Sequence, residues 1–301
     1  MKAYNTISEV MEQYFSNIKI KAQYSIGGLF ARSVLAGAMI AFGAEASNVA
    51  AHGIADVGLA RTVAGAVFPI GLMMVILMGA ELFTGDCMLV IGVTEKIISV
   101  KRLILMLVTI WVGNLVGGTI ISVLIYFSGQ YNYSGGALGA YTIKVAVGKT
   151  GLSFGTAFVS GILCNILVCA AVLMAMCATE VVGKLLASFF IIFAFVISGF
   201  EHCVANMYYI TAGLMCKMNT DYMNIAAVKY GLTTEQLDSL SIKTFLINNL
   251  LPVTLGNIVG GALLVGLPLY YINVVRKNKY TEKNEQESVR ISTKTFKKVK
   301  G

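Results

Sequence analysis

The chain has 301 residues, of which 57% are hydrophobic and 13% charged, with a formal net charge of +8. Its mean hydropathy of +0.77 lies outside the range of a soluble domain, so an integral membrane protein is expected and a nucleic-acid partner is not. The six cysteines (Cys87, Cys164, Cys169, Cys177, Cys203 and Cys216) show no CxxC spacing and all fall in or beside apolar runs. They read as small core residues, and neither a metal nor a cofactor is expected.

Residues 5–24 place Ile7, Val10, Met11, Tyr14 and Ile18 on one helical stripe, with Glu12, Asn17 and Lys19 elsewhere. This is an amphipathic helix for the inner membrane surface or for packing on a neighbouring subunit, and a candidate gate. Six apolar runs follow, near 27–50, 64–98, 103–127, 154–178, 185–216 and 245–275. Each is long enough to cross a hydrocarbon core of ~30 Å, which takes about 20 helical residues. The first contains Arg32 and lacks a small-residue cleavage pattern, so the N-terminus is expected to be retained. The chain divides into a cytoplasmic N-terminal helix at 1–26, a transmembrane domain at 27–275 and a basic tail at 276–301.

The second and fifth runs are interrupted, the second by GAELFTGD and the fifth by GFEHCVAN. Each predicts two half-helices joined by a non-helical break near the midplane, where irregular backbone survives only if protein or a cavity satisfies its polar groups. WVGNLVGGTIISVLIYF at 111–127 in the third run also matches TLGNIVGGALLVGLPLY at 254–270 in the sixth. Two matches in the same order predict three spans duplicated. Because three is odd, the copies are inverted in the membrane, an architecture typical of transporters and channels. The expected fold is therefore all-α, with six transmembrane helices in an inverted repeat of three plus three and broken second and fifth helices.

Charge sets the orientation. Residues 276–301 hold nine Lys and Arg against three Glu, and that tail should stay cytoplasmic together with the N-terminus. Lys96, Lys101, Arg102 and Lys184 fall on the same side, whereas the 51–61 and 128–152 connections face outward. The tail also suits contact with anionic lipid.

Ionisable groups inside a span cost at least ~2.5–3.5 kcal/mol on insertion scales and are usually functional. His202 sits at the second break, either on a substrate path or held by a neighbouring carbonyl. Thr84, at the first break, has a hydroxyl for His202, for a passing solute or for a helix cap, and Gly85 can take the backbone turn. Glu81 and Glu201, equivalent in the two repeats, are expected to cap the freed N–H groups of the half-helices, with Asn206 closing the second break motif. Lys149 precedes the fourth span as a vestibule cation or a solvated loop lysine. Half-helix N-termini, His202 and Lys149 together favour a small anion.

ELFTGD at 81–86, GILCNILVCAAV at 161–172, SGFEHCVANMY at 198–208 and NNLLPVTLGNIVGGALLVGLPLY at 248–270 closely resemble the formate/nitrite transporter family of bacterial inner-membrane proteins. The resemblance spans about residues 25–275. It implies an aquaporin-like protomer, a homopentamer and one pore per protomer. By position, His202 resembles the family's central-pore histidine, Thr84 its partner, Asn165 the polar residue beside them and Lys149 the vestibule lysine. Apolar constrictions would fall at Leu72 and Leu82 on the cytoplasmic side and at Phe68, Val168 and Phe195 on the outer side. TGLSF after Lys149 lacks the extra histidines that some members carry. The implied substrate is formate, nitrite or hydrosulfide, with formate preferred, moving with a proton supplied through His202. The alternatives are a passive anion channel or an aquaporin-type neutral-solute pore, although neither break carries an Asn-Pro-Ala triplet. With His52 and His202 the only histidines and no HExxH, neither a haem protein nor a membrane enzyme is expected.

Overall fold

The computed structural model describes residues 2–276, so apart from Arg276 the anticipated basic tail lies outside the described residues. The chain is all-α, with helices α1 (Ile7–Ala22), α2 (Ile26–Ala51), α3 (Val57–Met78), α4 (Phe83–Thr94), α5 (Val100–Phe127) and α6 (Ala137–Thr150). These are followed by α7 (Phe154–Cys177), α8 (Val181–Ser198), α9 (Cys203–Cys216), α10 (Thr220–Tyr230), α11 (Thr234–Ser239) and α12 (Ile242–Val275). Six of them, α2, α3, α5, α7, α8 and α12, are long and apolar enough to cross a membrane.

Local chemistry sets where the spans begin. The first residue before α2, α3, α5, α7 and α8 is Ser25, Asp56, Ser99, Ser153 and Glu180, and each side chain accepts from the amide three residues on, at 2.7 to 3.2 Å. Such caps satisfy amides that have no partner in the first helical turn. The Asp56 cap explains one correction. The second span starts at Val57, inside the stretch expected as a connection, because the cap licenses helix seven residues before the apolar run. Pro69, lacking a donor, then interrupts the regular ladder of α3.

The two halves superpose as sequences of interactions. In the first half α1 leads to α2, the broken pair α3 and α4, then α5; in the second α6 leads to α7, the broken pair α8 and α9, then α12. Close backbone contact joins α2 to α5 and α7 to α12. A Cβ added at Gly117 would lie 2.1 Å from the Val34 carbonyl oxygen, and one at Gly260 would lie 2.4 Å from that of Ile162. The GNLVGG and GNIVGG matches thus record two equivalent helix crossings that tolerate no side chain.

Most of the amphipathic stripe of α1 is seated inside its own protomer. Val10, Met11 and Ile18 are fully buried, Phe15 meets Tyr270 of α12 edge-on, and Asn5 bonds the Met176 and Cys177 carbonyls that end α7. The connection expected at 128–152 is largely helical too. Lys149 is on the last turn of α6, not in a loop.

Candidate functional site

Both breaks are built alike. Gly79 (φ 62°) and Gly199 (φ 70°) end α3 and α8 in the left-handed conformation that a side chain would strain. The backbone is extended at Leu82 (φ −111°, ψ 121°) and His202 (φ −110°, ψ 112°), where α4 and α9 begin. Asn114 of α5 braces the first break. Its Oδ1 accepts from the Phe83 amide at 2.9 Å, and its Nδ2 donates to the Glu81 and Ser33 carbonyls at 3.0 and 2.7 Å. Asn257 of α12 does the same at the second, accepting from the Cys203 amide at 2.9 Å and donating to the Glu201 and Gly161 carbonyls at 3.1 and 2.7 Å.

These asparagines correct the expected roles of the acids. Glu81 and Glu201 do not cap the half-helices, because carboxamides carrying both donor and acceptor satisfy amide and carbonyl together, which a carboxylate cannot. Gly85 is not the turn residue either; it lies inside α4, and Gly79 and Gly199 make the turns. Asn206 lies one turn into α9 rather than at the break.

The glutamates hold lysines instead. Lys149 donates to Glu201 at 2.9 Å, and the other Glu201 oxygen takes Asn206 at 2.6 Å and Asn249 at 3.1 Å. At the opposite mouth Lys21 of α1 lies 2.6 Å from both Glu81 and Asp86. Burial alone would pull the Lys21 ammonium down, but Asp86 and Glu81 outweigh it and hold it above the ordinary lysine value of 10.5. Lys21 was missed in the sequence, although a signal existed: it precedes the cap Ser25 by four residues, as Lys149 precedes Ser153.

Between the breaks, Thr84 Oγ1 and His202 Nε2 are 3.0 Å apart, with Thr84 fully buried and His202 3% exposed. His202 Nδ1 accepts from the Ala205 amide at 3.0 Å. A backbone N–H only donates, so Nδ1 carries no proton and Nε2 does. The neutral ring therefore donates to Thr84, whose own hydroxyl hydrogen remains for a third partner. Asn165 lies beside this pair, but its Nδ2 is spent on the Thr84 and Asn257 carbonyls at 3.0 and 2.6 Å. It fixes the backbone of the break.

Apolar side chains close the centre on both sides. Phe68 and Phe195 meet edge-on with centroids 5.6 Å apart, and Phe195 lies 5.9 Å from the His202 ring. They line a cavity of about 160 Å³ together with His202, and it also reaches Lys149, Asn48 and Tyr209. On the α1 side, Leu72 and Leu82 floor a cavity of about 350 Å³ reaching Lys21, Arg32 and Lys184. Val168 is buried and lines neither cavity.

Comparison with known proteins gives this geometry a setting. The family described as formate/nitrite transporter matches residues 8–271. A protein named probable formate transporter from Methanothermobacter thermautotrophicus is 38% identical, the match covering 84% of this chain and 91% of that protein. The formate channel FocA of Escherichia coli K12 is 34% identical over 74% of this chain and 77% of its own. A solved pentameric formate channel with formate bound is 31% identical, with a TM-score of 0.72, over 82% of this chain and 97% of that one.

Proposed function

The chain belongs to the formate/nitrite transporter family, a family of transporters and not of enzymes, and from that premise we propose that it carries a small monovalent anion, most readily formate, through one pore in each protomer of a homopentamer. The observation that carries the proposal is the buried Thr84–His202 pair between the apolar side chains Leu72 and Leu82 and Phe68 and Phe195, with a lysine-bearing cavity on either side, the Lys149 one lined by His202 itself. The protein is a multi-pass membrane protein. The lysine bias of the loops supports both termini, and hence α1, on the cytoplasmic side.

The pathway follows from charge. Lys149 draws the anion to the apolar layer at Phe68 and Phe195. A bare anion crossing two such layers meets a desolvation cost of several kcal/mol even after relaxation. Protonating a weak acid of pKa near ~3.7 at pH 7 costs about 3 units, roughly 4–5 kcal/mol. Because the two costs are close, a donor between the layers decides the route. The Thr84 hydroxyl, polarised by the Nε2–H behind it, supplies that donor. The proton that neutralises the anion enters from bulk solvent as hydronium and leaves with the neutral acid on the far side, so the Thr84 hydroxyl and the neutral His202 ring end the crossing with the protons they began with.

Flux of formate, nitrite and hydrosulfide into proteoliposomes from pH 5 to 8, beside His202→Phe, tests the reading. Wild-type formate flux should rise with acidity and the variant should lose that rise. An unchanged rate and pH profile in the variant removes the proton-coupling role; faster nitrite or hydrosulfide reassigns the substrate; uptake of glycerol in place of anions refutes the anion pore.

A further inference from the structure

Protein occupies most of the hydrogen-bonding atoms around the cavity that Lys149 shares with Phe68 and Phe195. The Ser47 hydroxyl gives its hydrogen to the Ala44 carbonyl at 2.7 Å, so Tyr209 is the donor in the 2.8 Å bond between their hydroxyls. Both ring nitrogens of His202 are engaged. Asn206 spends its two amide hydrogens on Glu201 at 2.6 Å and on Asn249 at 2.8 Å.

Two buried atoms are left without a partner among the described residues. Asn48 of α2 is 4% exposed, and its Nδ2 is a donor that meets no acceptor. Asn206 of α9 is fully buried, and its Oδ1 is an acceptor that meets no donor. Because both hydrogens of Asn206 already lie on acceptors, its amide cannot be turned round, and the free atom there is the oxygen. Both side chains line the one cavity. Buried polar atoms left unpaired are rare and costly, so a donor and an acceptor stranded at the same cavity point to a ligand that carries the complement of each.

From this remainder we infer that Asn48 and Asn206 form a subsite for acids of the form HO–X=O, which selects formic and nitrous acid over hydrogen sulfide. The X=O oxygen accepts from Asn48 Nδ2, and the O–H donates to Asn206 Oδ1. In the anion the bond from Asn48 persists and Lys149 balances the charge. Hydrosulfide is a single heavy atom that hydrogen-bonds weakly, so it cannot engage both amides. Nothing else at this cavity makes the distinction. Lys149 attracts any monovalent anion, and the apolar pair Phe68 and Phe195 sorts by size, which favours the smaller hydrosulfide. A site built to hydrogen-bond a substrate rejects the analogue that lacks the groups, because its own buried atoms are then left unmade.

One protein atom competes for Asn48. Glu45 Oε1, one turn earlier on α2, is also buried without a partner among the described residues. Glu45 is not part of the cavity wall, and its other oxygen takes the Tyr208 hydroxyl. Loss of a bond to Glu45 would lower stability and all fluxes alike, whereas loss of a bond to substrate changes the ratio between substrates.

The inference rests on the anion-pore reading. Initial rates of formate, nitrite and hydrosulfide entry at pH 7 are measured in proteoliposomes holding the full chain, above the leak of protein-free vesicles, with thermal unfolding in detergent beside them. N48L should lower formate and nitrite flux about 10- to 100-fold and hydrosulfide flux by less than about two-fold, the loss of one hydrogen bond to the substrate. N48S keeps a donor at this place and should hold the formate-to-hydrosulfide ratio within about three-fold of wild type. N48A decides the matter if N48L does not reach the membrane. An equal loss for all three substrates with a lower unfolding temperature makes Asn48 a partner of Glu45 and overturns the subsite, and so does an unchanged ratio; either leaves the anion pore standing. No flux of any of the three in the wild type overturns both.

Discussion

Replacing Thr84 by Val isolates one hydroxyl at the centre of the proposed pore. Valine matches threonine in shape, so the apolar contacts around this buried position stay and only the oxygen goes. Two effects follow. The His202 Nε2–H, now 3.0 Å from a methyl in place of an acceptor, is a buried donor without a partner, which costs about 1–3 kcal/mol of stability. A crossing anion also loses a donor. A hydrogen bond to a charged group is worth about 1.5–3 kcal/mol, and each 1.4 kcal/mol is a factor of ten, so formate flux should fall roughly 10- to 150-fold. Stopped-flow uptake into proteoliposomes across pH 5 to 8 reads the flux, and thermal unfolding in detergent reads the stability. Thr84→Ser should restore flux to within a few-fold of wild type, since the hydroxyl returns. If Thr84→Val carries formate within two-fold of wild type with the same pH profile, the hydroxyl does not face the substrate and the proposed route is wrong.

Four other outcomes are expected. Lys149→Met should raise the half-saturation for formate on its own side, and leaving Glu201 buried without its cation should cost about 3–5 kcal/mol; unchanged half-saturation on that side would contradict the role given to Lys149. Asn257→Ala strands the Cys203 amide and the Glu201 and Gly161 carbonyls, a loss of about 3–9 kcal/mol for three buried groups at about 1–3 kcal/mol each; thermal unfolding checks it, as it does for Asn114→Ala, expected to behave alike. Gly117→Ala forces α2 and α5 apart, because its Cβ would lie 2.1 Å from a carbonyl oxygen, and should destabilise by about 1–3 kcal/mol or more. Finally, the Lys21 ammonium is raised by its acids, so its contribution to docking α1 is complete below the ordinary lysine value of 10.5 and is lost as pH rises above it. Protection of 7–22 against hydrogen exchange, corrected for intrinsic rates, should stay level from pH 7 to 9 and weaken only in stronger alkali.

Much of the molecule is legible without coordinates because the membrane leaves few options. Apolar runs of this length span, interruptions inside them become breaks, and the paired GNLVGG and GNIVGG segments expose the inverted duplication. His202, Thr84 and Lys149 stood out for the same reason: a polar or charged side chain is conspicuous at the middle or the edge of an apolar run. The caps at Ser25, Ser99 and Ser153 sit where the chain turns from polar to apolar, a local signal present in the sequence.

What the chain alone did not disclose are the partners that meet across long separations. Glu81 and Glu201 look like helix caps when only their neighbours along the chain are considered. The asparagines that take the capping role lie 31 and 54 residues beyond the amides they accept from, and the lysine that captures Glu81 comes from the amphipathic helix before the first span. Asn165 has the composition of a pore-lining residue, yet both its amide hydrogens face main-chain carbonyls brought to it by α4 and α12. Sequence by itself determined the membrane class, the spans and the duplicated order, because apolar length and repetition are properties of a line. The tertiary structure decided which polar group satisfies which, because in a water-free interior every donor must find an acceptor in space, and that partner is set by how the helices cross.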